Sequence, residues 1–525
     1  MSENKKRKRK IRLPKNTWKI LSFAFLIFFV ILIIFLLSLQ SSRMQTFLTQ
    51  KVADFLSDEI HKGITVGKVD IEFFNKIVLK KVFIKDNKGD TLLYLKTLKA
   101  DIIEIDNENS RLYLDEIFID GLKLKVIKSK KGKTNYNFAN ILFNKKTKIK
   151  FLKASTEKEK DWKFDFKKLK IINSSVSYKD ENAKKHHFKN IFNKNDFFLE
   201  NIYFSIDNFK NDSDTLTFKI EKINFLDKSG FYLKNFSSQH KISPKTIEYK
   251  NLKIETSNSK IFSKILKIDF DSIADLKNKN PNIAIEFLLK KSKISLKDIS
   301  YFVPKLYGLE NDIFLETELN GKLGDLHCTK LNFYFEKETE LICNFVAKDI
   351  TDFKKSNLYF NIEKFITNES DLEKIKVPPF EKKKNLKLPK EFGNLGKIFY
   401  SGSFTKLEND FIIKNKFNTD LGNINLDIFF RPLEDWKVYN FKGNIFTEHF
   451  NLGKLIYPKK SKQVFEIGIK NELKGVFKDK NLKAEMIQIN SNFDKNKIDG
   501  YIIIDKENPF LSGKFTFDFK FKDLF

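Results

Sequence analysis

From Ile64 onward the apolar residues of this chain recur with a period of two. In the stretch from Lys68, Val69, Ile71 and Phe73 alternate with charged residues. Leu122, Leu124 and Val126 alternate with Lys123 and Lys125, and Leu216, Phe218 and Ile220 alternate with Thr217, Lys219 and Glu221. Near the end Phe515, Phe517, Phe519 and Phe521 take one side, and Thr516, Asp518, Lys520 and Lys522 the other. Side chains alternate across a strand, so each segment reads as a strand with one apolar face and one wet face. Turn formers such as Asp86-Asn87-Lys88-Gly89-Asp90 stand at the joints. Hundreds of such residues must place their apolar face somewhere. A sandwich or closed barrel buries it against itself, whereas a long curled sheet leaves it as the floor of a groove. With 57 Phe but only 19 Gly and 10 Pro, the chain lacks the punctuation of several compact β domains. The expected fold is mainly β: an elongated, curled antiparallel β-sheet groove, taco-like, with few short helices. Alternation alone does not separate a groove from a packed sandwich.

The second constraint is an uncharged apolar run from Ile20 to Leu39. As a helix it measures ~30 Å, the thickness of a bilayer core. Before it lies a leader, residues 1–19, with nine Lys or Arg and one Glu. The positive-inside rule keeps that end cytoplasmic and exports the rest, with Trp18 and Lys19 as interfacial anchors. A cleaved signal peptide fits poorly, because its apolar core is shorter and ends in small residues. Residues 40–62 follow as an amphipathic capping helix. Met44, Phe47, Leu48, Val52, Phe55, Leu56 and Ile60 form its apolar stripe. Residues 63–525 are then one elongated β region. Short helices are expected near Leu296–Leu309, Glu369–Lys376 and Glu448–Ile456, and loops near 145–163 and 376–390.

The net charge of +30 raises nucleic-acid binding and then argues against it. The leader accounts for +8, and the rest is spread without a dominant block. Only Arg7, Arg9, Arg12, Arg43, Arg111 and Arg431 are Arg, whereas base and phosphate readers favour the bidentate Arg fork. Abundant Lys, Asn, Ile and Phe fit a composition biased toward A/T-rich codons. Cys328 and Cys343 are too few for a disulfide framework and read as two buried thiols, with one cross-strand bridge as the alternative.

Motifs for catalysis are missing: there is no G-x-S-x-G, H-E-x-x-H, Walker A or G-x-G-x-x-G pattern. The histidines are His61, His186, His187, His240, His327 and His449. His186-His187 has no Cys or carboxylate constellation beside it, and His327-Cys328 with Cys343 has too few ligands for a closed zinc site. The expectation is a non-enzyme with no cofactor and no metal.

The stretch Ser42–Ile102, with V-D-I-E-F-F, V-F-I-K-D and G-D-T-L-L-Y, resembles the N-terminal region of TamB-type proteins in the AsmA-like superfamily. Ile117–Leu142 resembles the family's I-x-G-x-x-L strand and its N-x-N-F hook at Asn135, Asn137 and Phe138. Lys168–Asn182 and Lys228–Ile261 resemble repeats of the superfamily. The resemblance implies a single-pass inner-membrane protein of a Gram-negative-type envelope, N-terminus cytoplasmic and bulk periplasmic. It implies an apolar β groove that carries phospholipid toward the outer membrane. It also implies the alternative of an assembly factor that aids outer-membrane protein insertion with a BamA-like partner. The chain departs from TamB in reaching Phe525 without the long C-terminal region, which leaves room for a second polypeptide to supply it. The alternating residues named above, from Val69 to Phe521, are the candidate groove lining.

Overall fold

The computed structural model describes residues 64–72, 76–86, 88–106, 108–109, 111–135, 163–183, 190–212, 214–272, 282–352, 355–433, 438–456, 466–478, 481–493, 496–504 and 511–518. The expected membrane run at 20–39 with Trp18 and Lys19, the capping helix at 40–62, the loop at 145–162, and Phe73, Phe519 and Phe521 lie outside the described residues. Among the described residues no helix is long and apolar enough to cross a membrane. Strands dominate and helices are short. The described strands fall into two compact units, divided as 1–185 with 194–203 and 186–193 with 204–525.

In the first unit, β1 (Ile64–Glu72), β2 (Lys76–Lys85), β3 (Thr91–Asp106) and β4 (Arg111–Asp120) form an antiparallel meander. The short β5 (Lys123–Lys128) also pairs with β3. The expected all-antiparallel sheet fails next. β6 (Lys163–Asp180) runs parallel to β4 along Lys163–Ile172 and parallel to β5 along Ser175–Asp180. Parallel neighbours need a crossover of a dozen or more residues, and the segment between Lys128 and Lys163 supplies that length. A core of this unit is packed dry: Val78 and Leu112 are 0 % exposed, and Leu95, Leu98 and Ile119 are 1 % exposed.

The second unit continues with β8 (Thr215–Asp227), β9 (Tyr232–Ile242), β10 (Thr246–Thr256), β11 (Lys260–Phe270), β12 (Ile283–Ser295), β13 (Asp312–Lys322), β14 (Asp325–Phe335) and β15 (Thr339–Lys348). Then come β16 (Asn357–Thr367), β17 (Ile398–Leu407), β18 (Asp410–Thr419), β19 (Gly422–Leu433), β20 (Val438–Asn451), β21 (Glu466–Lys478), β22 (Asn481–Phe493), β23 (Asn496–Ile504) and β24 (Leu511–Asp518). β7 (Asp196–Asp212) precedes them. From β8 to β24 every described pairing is antiparallel and joins consecutive strands.

From β8 to β17 each neighbouring pair except β10–β11 shifts register once or twice near mid-strand, for example between Lys250 and Lys253, between Leu289 and Ser292 and between Cys328 and Leu331. Each bulge bends its strand, and because they align, they bend the sheet along one crease. Asn251 takes the left-handed conformation there at φ 52°, which Asn tolerates better than most residues. Small side chains line the crease and are buried: Ser238, Ser263, Ser292, Thr317, Cys328 and Cys343. They satisfy backbone carbonyls that a bulge takes out of the ladder. Ser263 Oγ donates to Ile265 O at 2.8 Å, Ser292 Oγ to Lys290 O at 2.7 Å and Cys328 Sγ to Lys330 O at 3.3 Å.

One end of these strands carries a wall of long connections. Helix α1 (Leu296–Ser300) follows β12, and Pro304 starts a separate 3-10 turn at Pro304–Leu306, so the helix expected over Leu296–Leu309 is broken. Helix α2 (Glu369–Leu372), capped by the Asn368 side chain, follows β16. Helix α3 (Leu452–Ile456) follows β20, which runs on as strand to Asn451 where a helix from Glu448 was expected. The expected loop at 376–390 holds a 3-10 turn at Phe380–Lys382. Each connection reaches back to an earlier hairpin. Asp298 on α1 accepts from Thr256 Oγ1 and Ser259 Oγ at 2.5 Å and from Asn258 Nδ2 at 2.8 Å, all in the β10–β11 turn. Asp371 on α2 accepts from the Glu338 N–H at 2.7 Å and from the Thr339 N–H at 2.9 Å, in the β14–β15 turn. Asn451 N–H donates to Leu421 O, in the β18–β19 turn. The connections also touch one another. Phe192 N–H donates to Tyr301 O, Lys383 Nζ sits 2.6 Å from Glu310, and Asn394 Nδ2 donates to Leu455 O. Gly308, at φ +100°, lies so near the next connection that a Cβ would stand 2.2 Å from Phe380 O.

Candidate apolar groove face

Residues paired across antiparallel strands share a face, so the register identifies the inner surface of the second unit. One row starts at Phe218 and passes through His240, Tyr249, Leu266, Phe287, Leu319 and Cys328. It continues through Phe345, Phe360, Phe404, Ile413 and Ile428. At ~4.8 Å per strand the row is roughly 50 Å long. Across the crease a parallel row alternates small and large residues: Ser238 on β9, Leu252 on β10, Ser263 on β11, Leu289 on β12, Thr317 on β13, Leu331 on β14 and Cys343 on β15. Apart from His240 and Cys328, every side chain of the first row is half-buried. Aromatic contacts run along it, as between Phe345 and Phe360 at 5.0 Å. The opposite face carries Lys241, Glu248, Lys267 and Glu286, with Lys250–Glu248 at 2.8 Å and Lys267–Asp269 at 2.7 Å.

The sequence-predicted lining residues divide accordingly. Leu216, Phe218 and Ile220 share the inner face of β8 with Ile242, His240 and Ser238 of β9; Leu216 and Phe218 are half-buried, and Ile220, on the crease, is 7 % exposed. Leu122 and Val126 are buried in the packed first unit at 7 % and 4 %, and Leu124 beside them is half-buried. Val69 pairs with Leu79, Ile71 with Ile77, Phe515 with Gly500 and Phe517 with Ile498. The side chains of these four lie outside the described residues. Cys328 and Cys343 are free and buried. Burial pushes the Cys343 thiol up to about 11 and raises that of Cys328.

Two larger polar side chains that sit buried on the inner face are Lys406 and His240. Lys406 pairs with Leu358 and Phe411, is 0 % exposed and donates from Nζ to Ser356 O at 2.6 Å; burial lowers its pKa. His240 is 8 % exposed, stacked on Phe218 at 4.6 Å and 9°, with Tyr249 edge-on at 4.9 Å. Its Nε2 is buried and has no hydrogen-bond partner among the described residues. Burial lowers its pKa to about 4, so the ring is neutral near pH 7. Sequence reasoning passed over His240. Its signal was a histidine in the apolar phase of an alternating strand. Among the described residues no group of three or more His, Cys, Asp or Glu is placed to hold a metal ion. No known protein family, curated protein or solved structure matches this chain.

Proposed function

We propose that this chain is a membrane-anchored bridge of the TamB/AsmA-like kind, which carries phospholipids by their acyl chains along the inner face of the second unit toward an outer membrane. The reading rests on one observation: the row from Phe218 to Ile428 is continuous and, apart from the buried His240 and Cys328, apolar and half-buried. Acyl chains are costly to hydrate at ~0.8 kcal/mol per CH2. An apolar trough covers them while headgroups stay in water. The row is nearly uniform along its length, which suits sliding because it offers no deep well in which a lipid would stall. The anchor in this reading is the run Ile20–Leu39. No catalytic step is part of it.

The test is photo-crosslinking of the full chain in membranes. Probes at Leu266, Phe287 and Phe360 face inward, and probes at Lys267, Glu286 and Tyr359 face outward. Lipid adducts at the inward set alone are expected. Equal adducts at both sets, or none, would sink the lipid path. Adducts to outer-membrane protein strands without lipid would move the reading to an assembly factor, acting by strand addition with a BamA-like partner.

A further inference from the structure

The face opposite the apolar row is not uniformly charged. Next to the wall, the register sets Phe314 of β13, Tyr334 of β14, Glu340 of β15, Ile366 of β16 and Phe399 of β17 side by side on it. Phe314 and Phe399 are exposed, at 37 % and 41 %. Phe314, Tyr334 and Ile366 form the apolar side of a hollow of about 330 Å³, at the small end of the range for ligand sites. Six of its seven other lining residues are charged. These charges are sorted by sign. Glu336 is held by Lys374 at 3.0 Å, Glu338 by Lys397 at 2.6 Å and Glu340 by Lys364 at 2.7 Å. Lys291 stands over the Tyr334 ring at 4.9 Å, and neither it nor Lys337 has a carboxylate partner among the described residues. The turn that carries Glu338 and Thr339 is fixed from behind by Asp371, which accepts from both N–H groups. A site held in place before its ligand arrives loses less entropy on binding.

We propose that this hollow binds an acidic sugar residue of a glycan, with the pyranose ring against Phe314 and Tyr334 and its carboxylate at Lys291 and Lys337. Three features select that class. The C–H groups of a sugar ring are weakly positive and meet the negative face of an aromatic ring. A hydroxyl both donates and accepts, so it can bond to a carboxylate and an ammonium that already hold each other, as along Glu338–Lys397. The two ammoniums without carboxylates call for an anion, whereas the three engaged carboxylates leave no place for a cation. An acyl tail meets the wrong lining, because charged residues outnumber apolar ones six to three and each charge it strips of water costs free energy. Phe399 lies three strands beyond Tyr334, ~14 Å away, and offers a ring to a further sugar of the same chain. The hollow is on the face opposite the proposed lipid row, so its test is independent of that reading.

The experiment uses the full chain in lipid nanodiscs, with empty nanodiscs as the blank. Saturation-transfer NMR titrates three probes: trigalacturonate, its methyl ester, and cyclohexanecarboxylate, which has the ring and the acid without the hydroxyls. Trigalacturonate is expected to bind about tenfold more tightly than either of the others, the effect of one charge-assisted hydrogen bond or of the lost hydroxyl bonds. Lys291→Gln is expected to weaken the acid about tenfold and to leave the ester unchanged, which a merely misfolded chain would not do. Lys267→Gln, on the same face but far along the sheet, is expected to change neither. Equal binding of acid and ester, or an equal loss with Lys267→Gln, overturns the site. Cyclohexanecarboxylate binding as tightly as the sugar acid overturns the glycan, and no transfer to any probe overturns the proposal outright.

Discussion

The two units use the same period-two alternation and cover its apolar side to different extents. In the first, Val78, Leu95, Leu98 and Leu112 are sealed to 1 % exposure or less. In the second, Leu266, Phe287, Phe345 and Phe360 hold the same place on their strands and remain half-buried. Alternation therefore sets which side of a strand is apolar, but not whether that side is covered. Coverage depends on what the chain stacks against the face, and that is the difference between a core and a surface that is free to bind.

The sharpest way to break this comparison is truncation. Leu98→Ala and Leu112→Ala in the first unit are expected to cost about 3 kcal/mol each, because they leave cavities in packed surroundings. Phe287→Ala in the second is expected to cost less, about 2 kcal/mol, since part of its side chain already meets water. Urea unfolding followed by hydrogen exchange in β3 and β12 measures both. Equal losses would mean that the second face is as closed as the first.

A middle-sized effect lies in the wall. Burial raises the Asp371 carboxyl, but the Glu338 N–H and the Thr339 hydroxyl and N–H outweigh it and hold its pKa below the usual range. A carboxylate lowered in the folded state contributes stability that is complete above its unfolded pKa, and that stability is lost as pH falls through the folded value. Asp371→Asn is expected to cost about 2 kcal/mol near pH 7 and to remove part of the acid sensitivity of β14–β15 protection. An unchanged acid limb in hydrogen exchange would show that this contact is not what holds the turn. The smallest effect belongs to the crease. Ser263→Ala frees the carbonyls of Ile265 and Leu288 and is expected to cost about 1 kcal/mol, read as a modest shift in the urea midpoint. No shift would mean that the bend does not depend on its serines.

Strands and their wet and dry faces were legible because alternation states them directly, as at Phe218 and Lys219. The short helices were legible in place but not in extent, since Pro304 and the continued strand to Asn451 cut them back. Three features were not legible. The parallel partner of β4 depends on where a long connection returns, which local pattern does not encode. The crease hides because each bulge shifts the phase: in β8 the inner face passes from Ile220 to Ile223, and a strict period of two would break there. The wall arises from contacts such as Lys383 to Glu310, 73 residues apart. Phase alone put Leu216 and Phe218 on the apolar side of β8, whereas His240 was passed over because a polar residue in the apolar phase reads as noise.

The latches of the wall have a consequence for how such a protein changes its reach. Each long connection grips the hairpin just before it, through Asp298, Asp371 or the Asn451 amide, and also meets a neighbouring connection, as Lys383 meets Glu310. Four strands and one connection therefore make a repeating module. A strand lost or gained alone would leave a latch facing the wrong end of the sheet, whereas four together leave every latch with its turn. The length of the apolar track is quantised, and duplication or deletion alters it in whole modules.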